Sequence, residues 1–424
     1  MKSKPTLMKS DIVLKPTNST GLSNIEQKKI IQKNAIIEYL YKKGPTSNPD
    51  IARYTKMSSP TITKLVQELI DYGILKDQGV GQSIGGRKPN LFGINPNARY
   101  IIGVDIDCRM VKLGIFNLDN EAVSEVITYY GNVKDKNELF GELFRRLDAL
   151  LVQSSLDEHA FLGIGVSIPG LINSKTGQTY KDVRINGKNL ENLFRDHYNL
   201  PVVMDSDSRV MAIGEQAFGF AKDKKDVLCL NICDGIGLGM ILNGHIYRGK
   251  SGLAGEFGHI NVVKDGNLCT CGKYGCLETV ASGTALIEQA QQGIKKGNAS
   301  LISELVNDNL DDIHVSDIIE AVNKGDIFAI EIINKLGHFL GEALSSLVHI
   351  FNPEMIIIGG KVALAEDYLI NPIQNTLNKY TISHIKKDTE VVTSQLEEKV
   401  KLLGSVAMVM NQVFEESGDD IKFL

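Results

Sequence analysis

Three of the six cysteines of this 424-residue chain lie within eight positions, and the first of them follows a histidine by ten residues. His259, Cys269, Cys271 and Cys276 have the spacing H-x9-C-x-C-x4-C, and glycines between them allow tight turns. One imidazole and three thiolates are the donor set of a closed structural zinc site. The spacing therefore predicts a zinc ion that shapes a loop, and ordinary buried thiols or a disulfide are the alternative.

Two carboxylates, Glu256 and Glu278, flank these ligands. A metal that fixes the loop also fixes both acids and the second ring nitrogen of His259, and such a set can bind several hydroxyls of a polyol. Asp207 ends a predicted strand and is a further candidate, although an acid between a strand and a helix is more often an N-cap than a catalytic residue and can be both.

Composition places the chain among globular proteins with more than one core. A length of 424 residues predicts two or three domains, and 43% hydrophobic residues with a mean hydropathy of −0.06 indicate a soluble protein. No apolar run approaches the length of a membrane span, and the first residues lack the apolar region of a signal peptide. We therefore expect a cytoplasmic location without membrane association, where thiols stay reduced and available to metal.

Charge is divided unevenly along the chain. Residues 1–95 contain 15 Lys and Arg against 7 Asp and Glu, whereas the remainder contains 31 against 44. A basic head on an acidic body predicts a polyanionic partner, such as DNA, for the head alone.

The basic head has the pattern of a winged helix-turn-helix. Residues 1–22 show little periodicity and predict a mobile arm, and residues 23–95 form the predicted domain. Apolar spacing predicts helices at 25–41 and 48–54 and a third that begins near Ser59, with Ser59 as its cap and Pro60 as its first residue.

Candidate DNA contacts follow from this arrangement. The outward residues of the third helix and the basic tip of the following Gly-rich hairpin are small polar or cationic groups that suit a major groove and phosphates; they are Ser59, Thr61, Thr63, Lys64, Arg87 and Lys88. A three-helix packing module with a solvated loop is the alternative.

The rest of the chain alternates strands and helices, which predicts an α/β body of two lobes with a cleft between them. We assign residues 98–222, together with a C-terminal helix at about 402–414, to the first lobe. Residues 223–401, with the metal loop and the sugar site, form the second. A turn at 234–239 is expected to precede a return strand at 240–242.

With these pieces placed, the chain resembles the ROK family, and in particular its repressor branch, which includes the xylose and N-acetylglucosamine repressors. The stretch Gly255-Glu-x-Gly-His, then Cys-x-Cys-Gly, then Gly-Cys-x-Glu278, is close to a signature of that family. The resemblance implies an actin/hexokinase-like (ribonuclease-H-like) body, structural zinc on the four ligands above, and a sugar bound by Ser206, Asp207, Glu256, His259 and Glu278.

Departures from the kinases of that family bear on catalysis. Their first phosphate turn, D-x-G-G-T-K, corresponds here to Asp105-Ile-Asp107-Cys108-Arg109-Met110, and their second gains an acid at Asp234. Lost glycines remove backbone contacts to phosphate, and added carboxylates repel ATP. The chain is therefore predicted not to be an enzyme, with Asp207 as a vestigial base. Ser206 replaces the usual Asn, which leaves the identity of the sugar open.

These features predict a sugar-responsive transcriptional repressor that binds operator DNA as a homodimer or homotetramer, with a sugar effector in the cleft. An ATP-dependent hexose kinase with a DNA-binding head is the alternative. A third hypothesis is a sugar sensor that acts through another protein.

Overall fold

The computed structural model describes residues 23–81, 88–107, 110–131, 136–173, 178–179, 184–185 and 188–418. The predicted arm at 1–22 lies outside this range, as do Arg87, Cys108 and Arg109.

The head contains three helices and three short strands: α1 (Asn24–Lys43), β1 (Thr46–Ser47), α2 (Asn48–Thr55), α3 (Ser59–Asp71), β2 (Leu75–Val80) and β3 (Asn90–Ile94). A capping box that pairs Ser23 with Glu26 starts α1, and Gly44 ends it at φ +78°. The strands form one antiparallel sheet in the order β1-β3-β2, which is the wing. The predicted winged helix-turn-helix is confirmed.

The cap of α3 differs from the prediction by one residue. Ser58, and not Ser59, is the N-cap: its hydroxyl accepts the Thr61 N–H at 3.4 Å, and Pro60 is therefore the second helical residue. Ser and Pro are both common at a helix start, so the tandem serines left two registers open to sequence reasoning.

The body is built on two five-stranded sheets. The part of the body that follows the head contains the first of these sheets. Its elements are β4 (Tyr100–Ile106), β5 (Met110–Asn117), β6 (Ile127–Tyr130), α4 (Lys136–Ser154), β7 (Phe161–Ile168), β8 (Ile172–Asn173), β9 (Gln178–Thr179), β10 (Arg184–Ile185), β11 (Lys188–Asn189), α5 (Leu190–Tyr198), β12 (Val202–Ser206) and α6 (Asp207–Phe218).

The second part of the body contains β13 (Val227–Ile232), β14 (Ile236–Leu242), β15 (His245–Ile246), α7 (Glu278–Ala281), α8 (Gly283–Lys295), α9 (Leu301–Leu305), α10 (Val315–Asn323), α11 (Ile327–Phe351), β16 (Met355–Gly359), α12 (Asp367–Tyr380), α13 (Ser383–Lys386) and β17 (Glu390–Thr393), and the long helix α14 (Val400–Gly418) ends the described chain.

The two large sheets have the same connectivity. Their orders are β12-β7-β4-β5-β6 and β15-β14-β13-β16-β17. In each sheet, the strand that comes first in the chain (β4 or β13) is central. The next two strands in the chain pair antiparallel on one side of it, and the last two pair parallel on the other. This repeated unit confirms the predicted actin/hexokinase-like fold.

One predicted turn was too long. Ile232 pairs with Ile236, so β14 begins four residues earlier than expected and the turn shrinks from 234–239 to 233–235. The glycines of this stretch suggested a loop, but they lie in the strand because a helix packs closely on it. A Cβ on Gly239 would lie 2.3 Å from the carbonyl oxygen of Ser208 in α6.

Helix α14 joins the head to the body. Phe414 near its C-terminal end packs on Tyr41 of α1, with ring centroids 5.7 Å apart, and the Tyr41 hydroxyl donates to Asn120 Oδ1 at 2.7 Å. The apolar core of the head continues without a break through Val406, Met410 and Val413 of α14. The head is therefore seated on the body by buried apolar surface.

Within the residues described, no helix combines the length and apolar character needed to cross a bilayer.

Replacement of Phe414 by Ala should weaken this seat. Its side chain is buried against Tyr41, so removal leaves a cavity and is expected to lower the free energy of unfolding by about 3 kcal/mol in urea titrations. Val152→Ala, at an exposed position of α4, is the control and should change stability little. Equal stability of the two variants would contradict a packed junction.

Candidate functional site

The loop that precedes α7 is held by its own backbone. A 3-10 helix spans Phe257–His259, and isolated antiparallel bridges join Asn261 to Cys276 and Leu268 to Tyr274. Gly275 has φ +71°, and a Cβ there would lie 1.9 Å from the Val263 carbonyl oxygen, so only glycine allows this approach. The turns bring His259 and the three cysteines of the loop together at one point.

That point is the cluster of the four predicted metal ligands. The ligand atoms of His259, Cys269, Cys271 and Cys276 all lie within 4.8 Å of one another. Cys271 Sγ is 3.7 Å from Cys276 Sγ, and Cys269 Sγ is 3.5 Å from His259 Nδ1. A tetrahedral site with metal–sulfur bonds near 2.3 Å has edges of about 3.8 Å, so the donors fit a soft divalent ion.

Glu278 links this cluster to the second large sheet. It is the first residue of α7, and its Oε1 lies 4.0 Å from Cys269 Sγ. Its Oε2 accepts the Ile236 N–H at 3.3 Å, and a Cβ on Gly235 would approach the same oxygen to 2.7 Å. The carboxylate therefore lies against the hairpin between β13 and β14.

The side chain of Asp207, at the start of α6, lies against the same hairpin. Its Oδ2 accepts a hydrogen bond from Asn231 Nδ2 of β13 at 3.0 Å, and a Cβ on Gly237 would be 3.9 Å from its Oδ1. Burial raises the pKa of the Asp207 carboxyl to about 6. Asp207 is the first residue of α6 rather than its N-cap, which is Ser206, so the N-cap alternative for Asp207 is wrong.

The remaining predicted sugar ligands have different surroundings. Ser206 is buried, and its hydroxyl oxygen has no hydrogen-bond partner among the described residues. Glu256 is exposed at the start of the 3-10 helix, and His259 is half-buried. Asp207, at the start of α6, thus adjoins the β13–β14 hairpin, and Ser206 precedes it at the end of β12. His259 and Glu278 come from the metal loop and the helix that follows it.

Sequence reasoning missed a buried ion pair that ties the parts of this site together. Asp205, at the end of β12, binds Arg209 Nε at 2.6 Å and Arg248 Nε at 3.3 Å. Arg209 also donates to the carbonyl oxygens of Ile172 at 3.0 Å and Ala254 at 3.3 Å. An Asp and an Arg four residues apart across a strand–helix boundary was the available signal.

A second charged group lies in a cavity of about 520 Å³ between the two sheets. Asp105 and Asp107 line it, and Lys401 of α14 places Nζ 3.8 Å from Asp105 Oδ2 and 3.2 Å from Asp107 Oδ2. Lys401 lies almost 300 residues away in sequence, and its charge reduces the repulsion of ATP that was expected from Asp107. The lysine's distance in sequence is why the prediction omitted it.

The predicted DNA contacts on α3 form an exposed face. Ser59, Thr63 and Lys64 are exposed, and together with Gln67 they line an open concave surface. Thr61 is half-buried, and its hydroxyl is 2.8 Å from that of Ser58. Lys88 is exposed beside the wing, and Arg87 lies outside the described residues.

Comparison with protein families gives separate matches for the head and for the body. The model of the ROK family matches residues 101–412, and a model of winged helix-turn-helix DNA-binding domains matches residues 31–76. The chain is 29% identical over 390 residues to the xylose repressor of Caldicellulosiruptor bescii, which covers 91% of this chain and 96% of that protein.

Solved structures give a matching picture. A ROK family transcriptional regulator that is a homolog of the Escherichia coli MLC protein aligns with a TM-score of 0.75 and 26% identity, over 92% of this chain and 98% of that one. A ROK family glucokinase from Streptomyces griseus, in complex with glucose and AMPPNP, aligns with a TM-score of 0.63 and 28% identity, over 72% of this chain and 97% of its own.

Replacement of Cys271 by Ala should release the metal. With three donors left, we expect bound metal to fall well below one ion per chain and the melting temperature to drop, because metal binding contributes directly to the fold of such loops. Elemental analysis and thermal melts measure both. Cys233→Ala removes a buried thiol outside the cluster and should keep its metal. Unchanged metal content in Cys271→Ala would contradict the ligand assignment.

Proposed function

The chain belongs to the ROK family, and we propose that it is a sugar-responsive transcriptional repressor. In this proposal the winged helix binds operator DNA and a carbohydrate binds beside the metal loop. The main support is that a DNA-binding head and a sugar-kinase-like body share one continuous apolar core through α14. The xylose repressor and the ROK transcriptional regulator align over more than nine-tenths of this chain, head included.

We assign zinc as the metal of the loop. Three thiolates and one imidazole favour zinc among the common divalent ions, and all four positions of the tetrahedron are filled by protein. A closed site of this kind is structural, because no position remains for a reacting water. Its role here is to hold Glu278 and His259 in place.

The sugar site proposed here consists of Ser206, Asp207, Glu256, His259 and Glu278. Nδ1 of His259 faces the cysteines, so a metal bound there leaves Nε2 to a sugar hydroxyl. The carboxylates of Asp207 and Glu278, which both contact the β13–β14 hairpin, accept hydrogen bonds from sugar hydroxyls. The ligands come from the end of β12, the start of α6, the metal loop and α7, so a bound sugar draws these elements together.

Phosphoryl transfer is not part of the proposed function. The first phosphate turn lacks the glycines of the kinases, and a lysine occupies the space beside Asp105 and Asp107. The chain is therefore a regulator rather than an enzyme, in keeping with the relatives that match it over about nine-tenths of its length.

Regulation requires that the sugar site affects the head. Helix α6 starts at Asp207 and packs along α14, where a Cβ on Gly404 would lie 2.1 Å from the Val210 carbonyl oxygen. The far end of α14 contacts α1 of the head. In a homodimer or homotetramer, a shift of α6 changes the spacing of paired heads and hence the fit to two operator half-sites.

DNA binding is tested with the chain's own upstream DNA in fluorescence anisotropy. We expect a specific complex that a sugar from a panel of monosaccharides and their phosphates dissociates, and an affinity that falls steeply with salt. Absence of binding at low salt would remove the proposal.

Lys64→Glu should abolish operator binding. The residue is exposed in the middle of the recognition face, so its reversal replaces a phosphate or base contact by repulsion and is expected to weaken binding by at least about 100-fold. Lys295→Glu makes the same charge change at the end of α8, far along the body, and is the control. Regulation that survives Lys64→Glu would favour a sensor that acts through another protein.

Glu278→Gln and Asp207→Asn should each abolish the thermal shift caused by the effector sugar. A lost carboxylate acceptor in a half-buried site is expected to weaken sugar binding by about 10-fold or more while DNA binding in the absence of sugar is kept. Glu288→Gln, exposed on α8, is the matched control. A full thermal shift in both site variants would place the sugar elsewhere.

A further inference from the structure

The cavity between the two large sheets contains a charged trio that the proposed sugar response does not use. Asp105 is 2% exposed, Asp107 is 7% exposed and Lys401 is 6% exposed, and all three line the cavity. Nζ of Lys401 lies 3.2 Å from one carboxylate and 3.8 Å from the other. One ammonium group therefore serves two acids in a space that water reaches poorly.

Two buried carboxylates that share one ammonium group also repel each other. Burial raises the pKa of Asp105, the Lys401 charge opposes that rise, and the charge of Asp107 adds to it. Burial also opposes the charge on Lys401, but the neighbouring acids raise its pKa well above the usual range. Lys401 therefore favours the charged form of Asp105, and the acids in turn favour the charged form of Lys401.

Close backbone packing holds Lys401 in position. It lies in the first turn of α14, and a Cβ on Gly214 of α6 would lie 2.4 Å from the Val400 carbonyl oxygen. A Cβ on Gly165 of β7 would lie 2.0 Å from the Ser405 carbonyl oxygen. Helix α14 is therefore packed tightly against α6 and β7, and this packing fixes the backbone of Lys401 beside the acids.

We propose that Lys401 is a built-in cation that occupies the position of a divalent metal ion between Asp105 and Asp107. Carboxylate oxygens are the ligands that Mg²⁺ and Mn²⁺ prefer, and here two carboxylates converge at the wall of a cavity. The tethered ammonium satisfies the same charge without leaving by diffusion. The cavity is thereby closed to divalent ions and to anions that enter as their metal complexes.

This assignment does not rest on DNA binding or on sugar binding. It concerns the end of β4 and the start of α14, whereas the proposed sugar ligands lie at the junction of β12 and α6, in the metal loop and at the start of α7. Failure of the repressor proposal leaves it unchanged, and the test below uses neither ligand.

The test compares Mn²⁺ binding to Lys401→Met and to wild type, by electron paramagnetic resonance of free Mn²⁺ and by thermal shift. The variant is expected to bind one additional Mn²⁺ at least about 10-fold more tightly than any site in wild type, because its two acids have lost the ammonium. Lys361→Met removes the same charge from the wall of the same cavity and should behave like wild type. All three proteins retain the His/Cys cluster, so only the difference between them counts.

A double variant identifies the ligands. Adding Asp107→Asn to Lys401→Met should remove the gained Mn²⁺ site, because one of the two acids is gone. Saturable Mn²⁺ binding that survives the double change, or equal binding by wild type and Lys401→Met, would overturn the proposal.

If Lys401→Met does not fold, Mn²⁺ itself becomes the test. The proposal then expects millimolar Mn²⁺ to restore cooperative unfolding to Lys401→Met but not to its Asp107→Asn double variant. No rescue of the single variant, or equal rescue of both, would show that the lysine does not stand in for a metal ion.

Discussion

Convergence of four soft ligands on one point is the constraint on which the body's binding site depends. His259 and the three cysteines span 18 positions, and the glycines between them allow backbone approaches that a Cβ would forbid. Once the loop is closed, Glu278 and the second nitrogen of His259 have little freedom. In the proposed function, a metal on these four residues does not bind the sugar itself but fixes Glu278 and His259, which do.

The second organising element is α14, which returns from the second sheet to pack on the first and then on the head. Lys401 in its first turn pairs with the acids of the cavity between the sheets, and its middle packs against α6. Phe414 near its end packs against Tyr41 of the head. A single rigid helix thus contacts the cavity, the helix that begins with Asp207, and the DNA-binding head. This arrangement explains how a small molecule in the body can influence a surface on the head without a flexible linker between them.

Sequence reasoning did best where the pattern is local. Spacing over fewer than 20 positions predicted that His259 and the three cysteines cluster, and apolar periodicity predicted the helices of the helix-turn-helix. The Asp105–Lys401 pair and the core shared by Phe414 and Tyr41 were missed, because contacts between distant segments leave no periodic pattern. The turn at 233–235 was misjudged for a related reason: its glycines serve helix–strand packing, which only the folded chain reveals.

The central claim is that the metal loop builds the sugar site while the head binds DNA independently of it. The most direct measurement is operator affinity by anisotropy, with and without the effector sugar, for metal-replete protein and for protein stripped by a chelator. The account predicts that sugar weakens DNA binding of the replete protein by at least about 10-fold, a typical allosteric coupling, and leaves the stripped protein bound. A full sugar response in protein shown to contain no metal would contradict it.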